Sequence, residues 1–277
     1  DWEAICIDDG SQDATLTVLT TLAMVEPRLV VRTQANAGPS QARNAAVKMA
    51  RGDILAFLDA DDIWTAHKLA SVAEVFKTSS ETDAVFGRVA FFSDDSTQDV
   101  TFSTVRPGPA HLTDFLGENP ACTLSNLSVK RETFIASGGF NTEMRHSEDL
   151  EWTIRLLAAD GKVIASPDMH VRYRASESGL SSDLHAMHAG WRKAVQAAGQ
   201  VISKRDLQAC EAIHLRYLAR RALRMVLPAR IATGFATSGL ALAPRTFLGG
   251  RHRGIATLLG CLVAPILPTR LRQKTFA

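Results

Sequence analysis

Between Trp2 and Phe92, short apolar runs alternate with segments of helical periodicity. Trp2–Ile7 contains β-branched residues and ends in the turn signal Asp8-Asp9-Gly10-Ser11. Ser11 and Asp13 predict a capped helix start, and Leu16, Leu19, Leu22 and Ala23 recur at helical spacing until Pro27. Leu29–Arg32 reads as a strand, Ala42–Ala50 as a helix stopped near Gly52, and Ile54–Leu58 as a third strand. Lys68–Lys77 then reads as a helix and Ala84–Phe92 as a strand. This order predicts an α/β domain on a mostly parallel sheet flanked by helices. Ligands of such sheets sit beyond the carboxyl ends of the strands. Asp8-Asp9 and Asp59-Ala60-Asp61-Asp62 both fall there.

Farther along, His111–Leu116 predicts a helix, Ser125–Val129 a strand and Glu148–Ala159 a helix. Lys162–Ser166 and His170–Arg174 read as two strands, and from Ser182 the pattern is helical. The expected division is an α/β domain over 1–182 and a helical region over 183–277. With 46% apolar and 22% charged residues in 277, the chain can bury a core and is not disordered throughout. Cys6, Cys122, Cys210 and Cys261 are widely spaced, with no CxxC. That excludes a disulfide scaffold and a sequence-evident zinc site, and it suits a reducing compartment.

Three carboxylates within Asp59–Asp62 repel one another unless a cation sits among them. A hard divalent ion with oxygen ligands, Mg²⁺ or Mn²⁺, suits them, and it would also bridge to substrate phosphates. In isolation such a cluster reads as a solvated turn capping the next helix. Its neighbours change that reading: Asp8-Asp9-Gly10-Ser11 ends a nearby strand, Asn36-Ala37-Gly38 and Ala42-Arg43-Asn44 lie between, and Glu148-Asp149 opens a later helix.

Taken together, DDGSQDAT, NAGPSQARNAA, GDILAFLDADDIW, SGGFN and SEDLEW resemble the family 2 glycosyltransferases of the GT-A fold. The five motifs stand in order within residues 1–182. The resemblance implies an inverting transferase that uses a nucleotide-diphosphate sugar, a glycan or lipid-linked acceptor, and Mg²⁺ or Mn²⁺. It implies that Asp9 and Asp8 meet the base and ribose, that Arg43 shapes the nucleotide pocket, and that Asp59 and Asp61 are the metal pair. Asp61 is the expected closer ligand, with Asp59 also reaching the ribose or a metal-bound water. Asp149 matches the general base, and Glu148 beside it an orienting or acceptor-binding residue. The family opens with a further strand and helix ahead of Asp8-Asp9, so the resemblance also implies an N-terminally truncated domain. His170, Arg172 and Arg174 are weaker candidates for metal or diphosphate contacts. Three other readings are a catalytically inactive module that binds nucleotide-sugar or glycan, a membrane scaffold, and a nucleotidyltransferase.

The net charge of 31 − 29 = +2 conceals a split. Residues 212–277 hold 11 Lys+Arg and no acid, giving +11, which leaves 20 − 29 = −9 for residues 1–211. Arg216, Arg220, Arg221 and Arg224 lie opposite Leu215, Leu218, Ala222, Met225 and Val226 on a helix. The apolar stretches Ile231–Ala243 and Ile255–Leu267 follow, both short of the roughly 20 residues that span a bilayer. The tail therefore predicts an interfacial region on an anionic membrane surface, with the protein cytoplasmic and peripheral at the inner face. Nucleic-acid binding is not expected, because the tail lacks interleaved aromatics.

Overall fold

The computed structural model describes residues 1–93, 96–144, 146–175, 182–199, 201–250, 252–268, 271–272 and 275. Strand β1 (Ala4–Asp8) pairs in parallel with β2 (Leu29–Thr33), and helix α1 (Thr15–Val25) connects them. Ala14, not Ser11, occupies the α1 N-cap; the Ser11 N–H instead donates to the Asp8 carboxylate at 3.2 Å. No residue of α1 is buried, and Met24 is 86% exposed. Helix α2 (Pro39–Met49) begins earlier than expected, because Pro39 has no N–H to lose at a first helical position.

A seven-stranded sheet follows. It comprises β3 (Ile54–Ala56), β4 (Ile63–Trp64), β5 (Ala84–Ser93), β6 (Ser96–Phe102), β7 (Gly108–Pro109), β8 (Ser128–Lys130) and β9 (Val163–Arg174). Its order is β3-β8-β5-β9-β4, with β6 added on β5 and β7 on β9. Only the β5–β9 pair is parallel in this sheet, so the whole is mixed rather than mostly parallel. The connections explain it. A parallel return needs a crossover of a dozen or so residues, but β6 begins at Ser96, only three positions after β5 ends at Ser93. The two expected strands at 162–166 and 170–174 are one strand, β9, which continues through Pro167.

Helices α3 (Lys68–Thr78), α4 (Leu112–Gly117), α5 (Arg131–Ala136) and α6 (Glu148–Ala158) complete this part. Phe57, Phe134, Phe140 and Trp152 pack as a ring cluster, with centroids 4.8 Å apart for Phe134–Phe140 and 5.4 Å for Phe134–Trp152. Each such buried ring contributes roughly 1.5–3 kcal/mol of apolar burial. Asn44 of α2 anchors the Gly138-Gly139 turn from outside: its amide donates to Phe140 O at 2.8 Å and accepts from Phe140 N–H at 3.0 Å.

Helices α7 (Leu184–Ala194), α8 (Lys204–Arg224), α9 (Ala229–Leu242), α10 (Pro244–Leu248) and α11 (Arg253–Val263) form the rest. Leu215, Leu218, Phe235 and Phe247 centre a second apolar cluster, while Cys210 of α8 belongs to the first. Helix α8 thus runs through both. Among the described residues no helix is long and apolar enough to cross a membrane.

Candidate active site

The loop after β3 carries the acids, and a second loop holds it in place. The Asp59 N–H donates to Ser125 Oγ at 2.9 Å. Ser125 O accepts from Trp64 Nε1 at 2.8 Å and from Lys68 Nζ at 2.5 Å, and the Lys68 ammonium lies 4.2 Å over the Trp64 ring. The Trp64 ring is thus fixed by its indole N–H. Asp62 turns inward, accepting from Thr123 Oγ1 at 3.2 Å and from the Arg174 N–H at 3.0 Å. Burial pushes the Asp62 carboxyl up and, against the attraction of Asp62, draws the Lys68 ammonium down to about 7.

Asp59 and Asp61 face away from this buried pair. Arg43 of α2 reaches Asp59 Oδ1 with Nη2 at 2.5 Å and Glu148 Oε1 with Nη1 at 2.6 Å. One guanidinium thus ties the acid loop to the start of α6. Burial opposes the Arg43 charge, but Asp59 and Glu148 outweigh it and its pKa is raised. The repulsion expected among the acids is partly relieved by the protein itself, through Arg43 and the inward turn of Asp62. Asp61 is exposed, and the Arg174 Nε donates to its backbone carbonyl at 3.0 Å.

Asp149 stands beside Glu148 in the first turn of α6. Ser147, at the N-cap, adopts φ +62 in the left-handed region, a strained conformation that sets the angle at which the helix starts. Burial, followed by the Glu148 charge, pushes the Asp149 carboxyl up to about 7; the Leu150 N–H and Arg43 oppose the shift. A carboxyl near 7 suits a group that takes up a proton at neutral pH.

Asp8 and Asp9 end β1. Asp9 accepts from Gln34 Nε2 at 2.7 Å, from the Ala37 N–H at 2.9 Å and from the Gly38 N–H at 2.8 Å. Both its oxygens organise the loop into α2, and these bonds outweigh burial to lower its pKa. Asp8 is buried. His170 is fully buried against Gly87, with Nε2 3.0 Å from Ser71 Oγ, and burial lowers its pKa to about 4. Arg172 and Arg174 both stack on Phe92. The supporting residues Thr123, Ser125 and Lys68 are not singled out by the sequence, where 125–129 reads simply as a strand; Leu124–Asn126 is a 3-10 turn and β8 starts at Ser128. A separate cavity of about 800 Å³, lined by His185, His188, Glu211 and Phe235, lies among α7, α8 and α9 and includes none of these acids.

The profile of Glycosyl transferase family 2 matches residues 1–146. An uncharacterised glycosyltransferase of Nostoc sp. is 45% identical over 80 residues, covering 28% of this chain and 25% of that protein. The poly(ribitol-phosphate) beta-glucosyltransferase of Bacillus spizizenii is 25% identical over 183 residues, covering 65% of this chain and 28% of that protein. The chain thus spans between about a quarter and 62% of the length of the first curated relatives it matches. Among solved structures, S. aureus TarS 1–349 in complex with UDP-GlcNAc superposes with TM-score 0.60 at 16% identity, covering 98% of this chain and 79% of that one. That likeness establishes a GT-A-type fold of central sheet and flanking helices. With its profile match over more than half of its length, the chain belongs to glycosyltransferase family 2.

Proposed function

We propose that the protein is an inverting, metal-dependent glycosyltransferase that moves a sugar from a nucleotide-diphosphate sugar to a glycan or lipid-linked acceptor in cell-surface polysaccharide synthesis. The observation that carries this reading is the Arg43 bridge, which brings the acid loop and the Glu148-Asp149 helix start into one site. TarS is named with UDP-GlcNAc, and the Bacillus spizizenii relative is named for poly(ribitol-phosphate).

Asp59 and Asp61 are the residues that would hold Mg²⁺ or Mn²⁺. Two exposed or half-buried carboxylates suit an ion that keeps waters and substrate phosphates as its other ligands. Among the described residues no group of three or more His, Cys, Asp or Glu is arranged to hold a metal, so a hydrated or phosphate-shared ion fits better than a protein cage. When bound, such an ion neutralises the diphosphate leaving group. Asp149 takes the proton from the acceptor hydroxyl as its oxygen attacks the anomeric carbon. A single displacement inverts that centre. Glu148, held by Arg43, orients Asp149 and the acceptor. Asp8 and Asp9 shape the nucleotide pocket, Asp9 through the Gln34 side chain and the backbone of Ala37 and Gly38 rather than through a free carboxylate.

We infer that 1–182 is the catalytic unit and 183–277 a helical region that also binds anionic membrane surfaces. Ile255, Leu259, Leu262 and Val263 lie exposed along α11, opposite a packed face of Gly254, Thr257, Gly260 and Cys261. Apolar side chains pointing outward from the acid-free, basic stretch 212–277 suit the boundary of an anionic bilayer. The test of the transferase reading is a donor screen scoring nucleoside diphosphate release with Mg²⁺ or Mn²⁺ and an acceptor extract. No release with any nucleotide-sugar would favour the inactive binding module instead.

A further inference from the structure

Arg216, Arg220 and Arg224 form one row along α8, four residues apart. The row faces Glu118, at the C-terminus of α4. Arg216 Nη2 and Arg220 Nη1 approach Glu118 Oε1 at 3.5 Å and 3.8 Å, and Arg253 Nη1 approaches Oε2 at 3.6 Å. All three are longer than a charge-assisted hydrogen bond, about 2.7–2.9 Å. Glu118 Oε1 is enclosed and accepts no hydrogen bond. Arg224 lies within electrostatic reach of Glu118, so four guanidiniums gather about a single carboxylate.

The four are not equivalent. Arg216 is buried, and its Nη1 donates to the carbonyls of Thr246, Phe247 and Gly249 at 3.1–3.2 Å. It is a strut that closes the end of α10. Arg220 and Arg253 keep side-chain exposures of 31% and 45%, and Arg224 is exposed. This corrects the expectation of one basic face turned to a membrane. Much of the row faces α4 and the loop that leads to the active site.

That loop fixes the location. Glu118 begins it, and Ser125 ends it on the Asp59 N–H. Midway, Cys122 adopts φ +66 and lies within electrostatic reach of Glu118, Arg221 and Asp149 together. Glu118, which the arginine row meets, thus begins a short segment that also comes within reach of Asp149. Clustered, partly desolvated guanidiniums repel unless an anion shares them, and their planar forks match phosphate oxygens.

We propose that Arg220, Arg224 and Arg253, braced by Arg216, form a subsite for a phosphate or diphosphate ester on the acceptor. Glu118 is the internal anion that occupies the arginines until the substrate arrives. The word acceptor rests on the transferase reading; the anion site does not.

The test is calorimetric titration of the full chain with inorganic pyrophosphate in EDTA, which removes metal-dependent binding at the donor site. Saturable, salt-sensitive binding is expected. It should weaken about tenfold or more in Arg220→Gln/Arg224→Gln, tighten in Glu118→Gln, and stay unchanged in Asp61→Ala. Circular dichroism confirms that each variant is folded. Binding indifferent to the arginine and Glu118 substitutions, or abolished by Asp61→Ala, overturns the proposal. A second arm compares a prenyl diphosphate, a polyol-phosphate oligomer and phosphatidylglycerol vesicles. Dependence on Arg220 and Arg224 for either soluble ester supports the acceptor subsite and names its source. Dependence for vesicles alone overturns it in favour of a lipid surface. Neither arm needs turnover, so a failure here is distinct from a failure of the transferase reading.

Discussion

At the residue scale, Asp149 carries the sharpest expectations. Asp149→Asn should lower turnover by about 10²–10⁴, the usual worth of a positioned base. Donor affinity should barely move, since the residue serves the acceptor; loss of donor binding in a folded variant would mark it as structural. The pH dependence has a definite sign. The base works only when deprotonated, and its carboxyl is raised to about 7. The acidic limb of kcat/KM should therefore lie near 7, whereas an unperturbed aspartate would place it near about 4. The same raised pKa means that the folded state holds this proton more tightly than the unfolded chain. Its contribution to stability is fully present below the unfolded value and is lost as pH rises through about 7. A profile flat from pH 5 to 8 would contradict the assignment. Asp61→Ala should abolish Mg²⁺- or Mn²⁺-dependent binding of the nucleotide-sugar while leaving the melting curve in place, because the side chain is exposed and supports no core. Unchanged turnover in both EDTA and Asp61→Ala would remove the metal from the mechanism.

Among the elements, β5 and β9 approach each other closely at Gly87. A Cβ at Gly87 would stand 2.5 Å from His170 Cγ and 2.6 Å from Asp168 O. His170 is fully buried, so neither the ring nor the backbone has room to retreat. Gly87→Ala should cost about 1–3 kcal/mol, as overpacking of a core does. Denaturant unfolding checks it, and a midpoint equal to wild type would mean that the strands separate locally without penalty. The same strand sets His170 beside Ser71 of α3, 3.0 Å from its hydroxyl. Helix α6 shows the converse. Its burial of Leu150, Trp152 and Ile154 holds the first turn, with Glu148 and Asp149, against Arg43 of a helix more than a hundred residues earlier in the chain.

For the molecule as a whole, the charge split and the helical region make one prediction. The protein should pellet with phosphatidylglycerol vesicles, with a salt-sensitive part from basic side chains worth about 1 kcal/mol each near the surface. A salt-resistant part should vanish in Leu259→Glu/Leu262→Glu, since Leu262 is 60% exposed and supports no packing that the substitution would break. Equal pelleting with neutral lipid, or pelleting unaffected by these substitutions, would leave α11 as a surface helix only. Deleting 212–277 is not a usable comparison, because the cut falls within α8 and removes Leu215 and Leu218 from the second cluster.

Local chemistry made much of this legible in advance. Turn residues and apolar periodicity placed most of the elements within residues 1–182, and the acid-bearing turns lie at strand ends, as expected. The pairing direction of the strands was not local: it depends on how each connection returns, and here it yields a mixed sheet. Nor was it visible that α1 would bury none of its apolar residues. The sequence by itself determined which residues carry charge and at what spacing: Arg43, Asp59, Asp61, Glu148 and Asp149 on one side, and the arginines of α8 on the other. Only the tertiary structure decided their partners. It turned Asp62 inward, joined Asp59 to Glu148 through Arg43, and directed the α8 arginines at Glu118. The physical reason is that a periodicity fixes a face of one helix or strand, whereas a charge acquires its role from groups brought beside it by packing distant parts of the chain together.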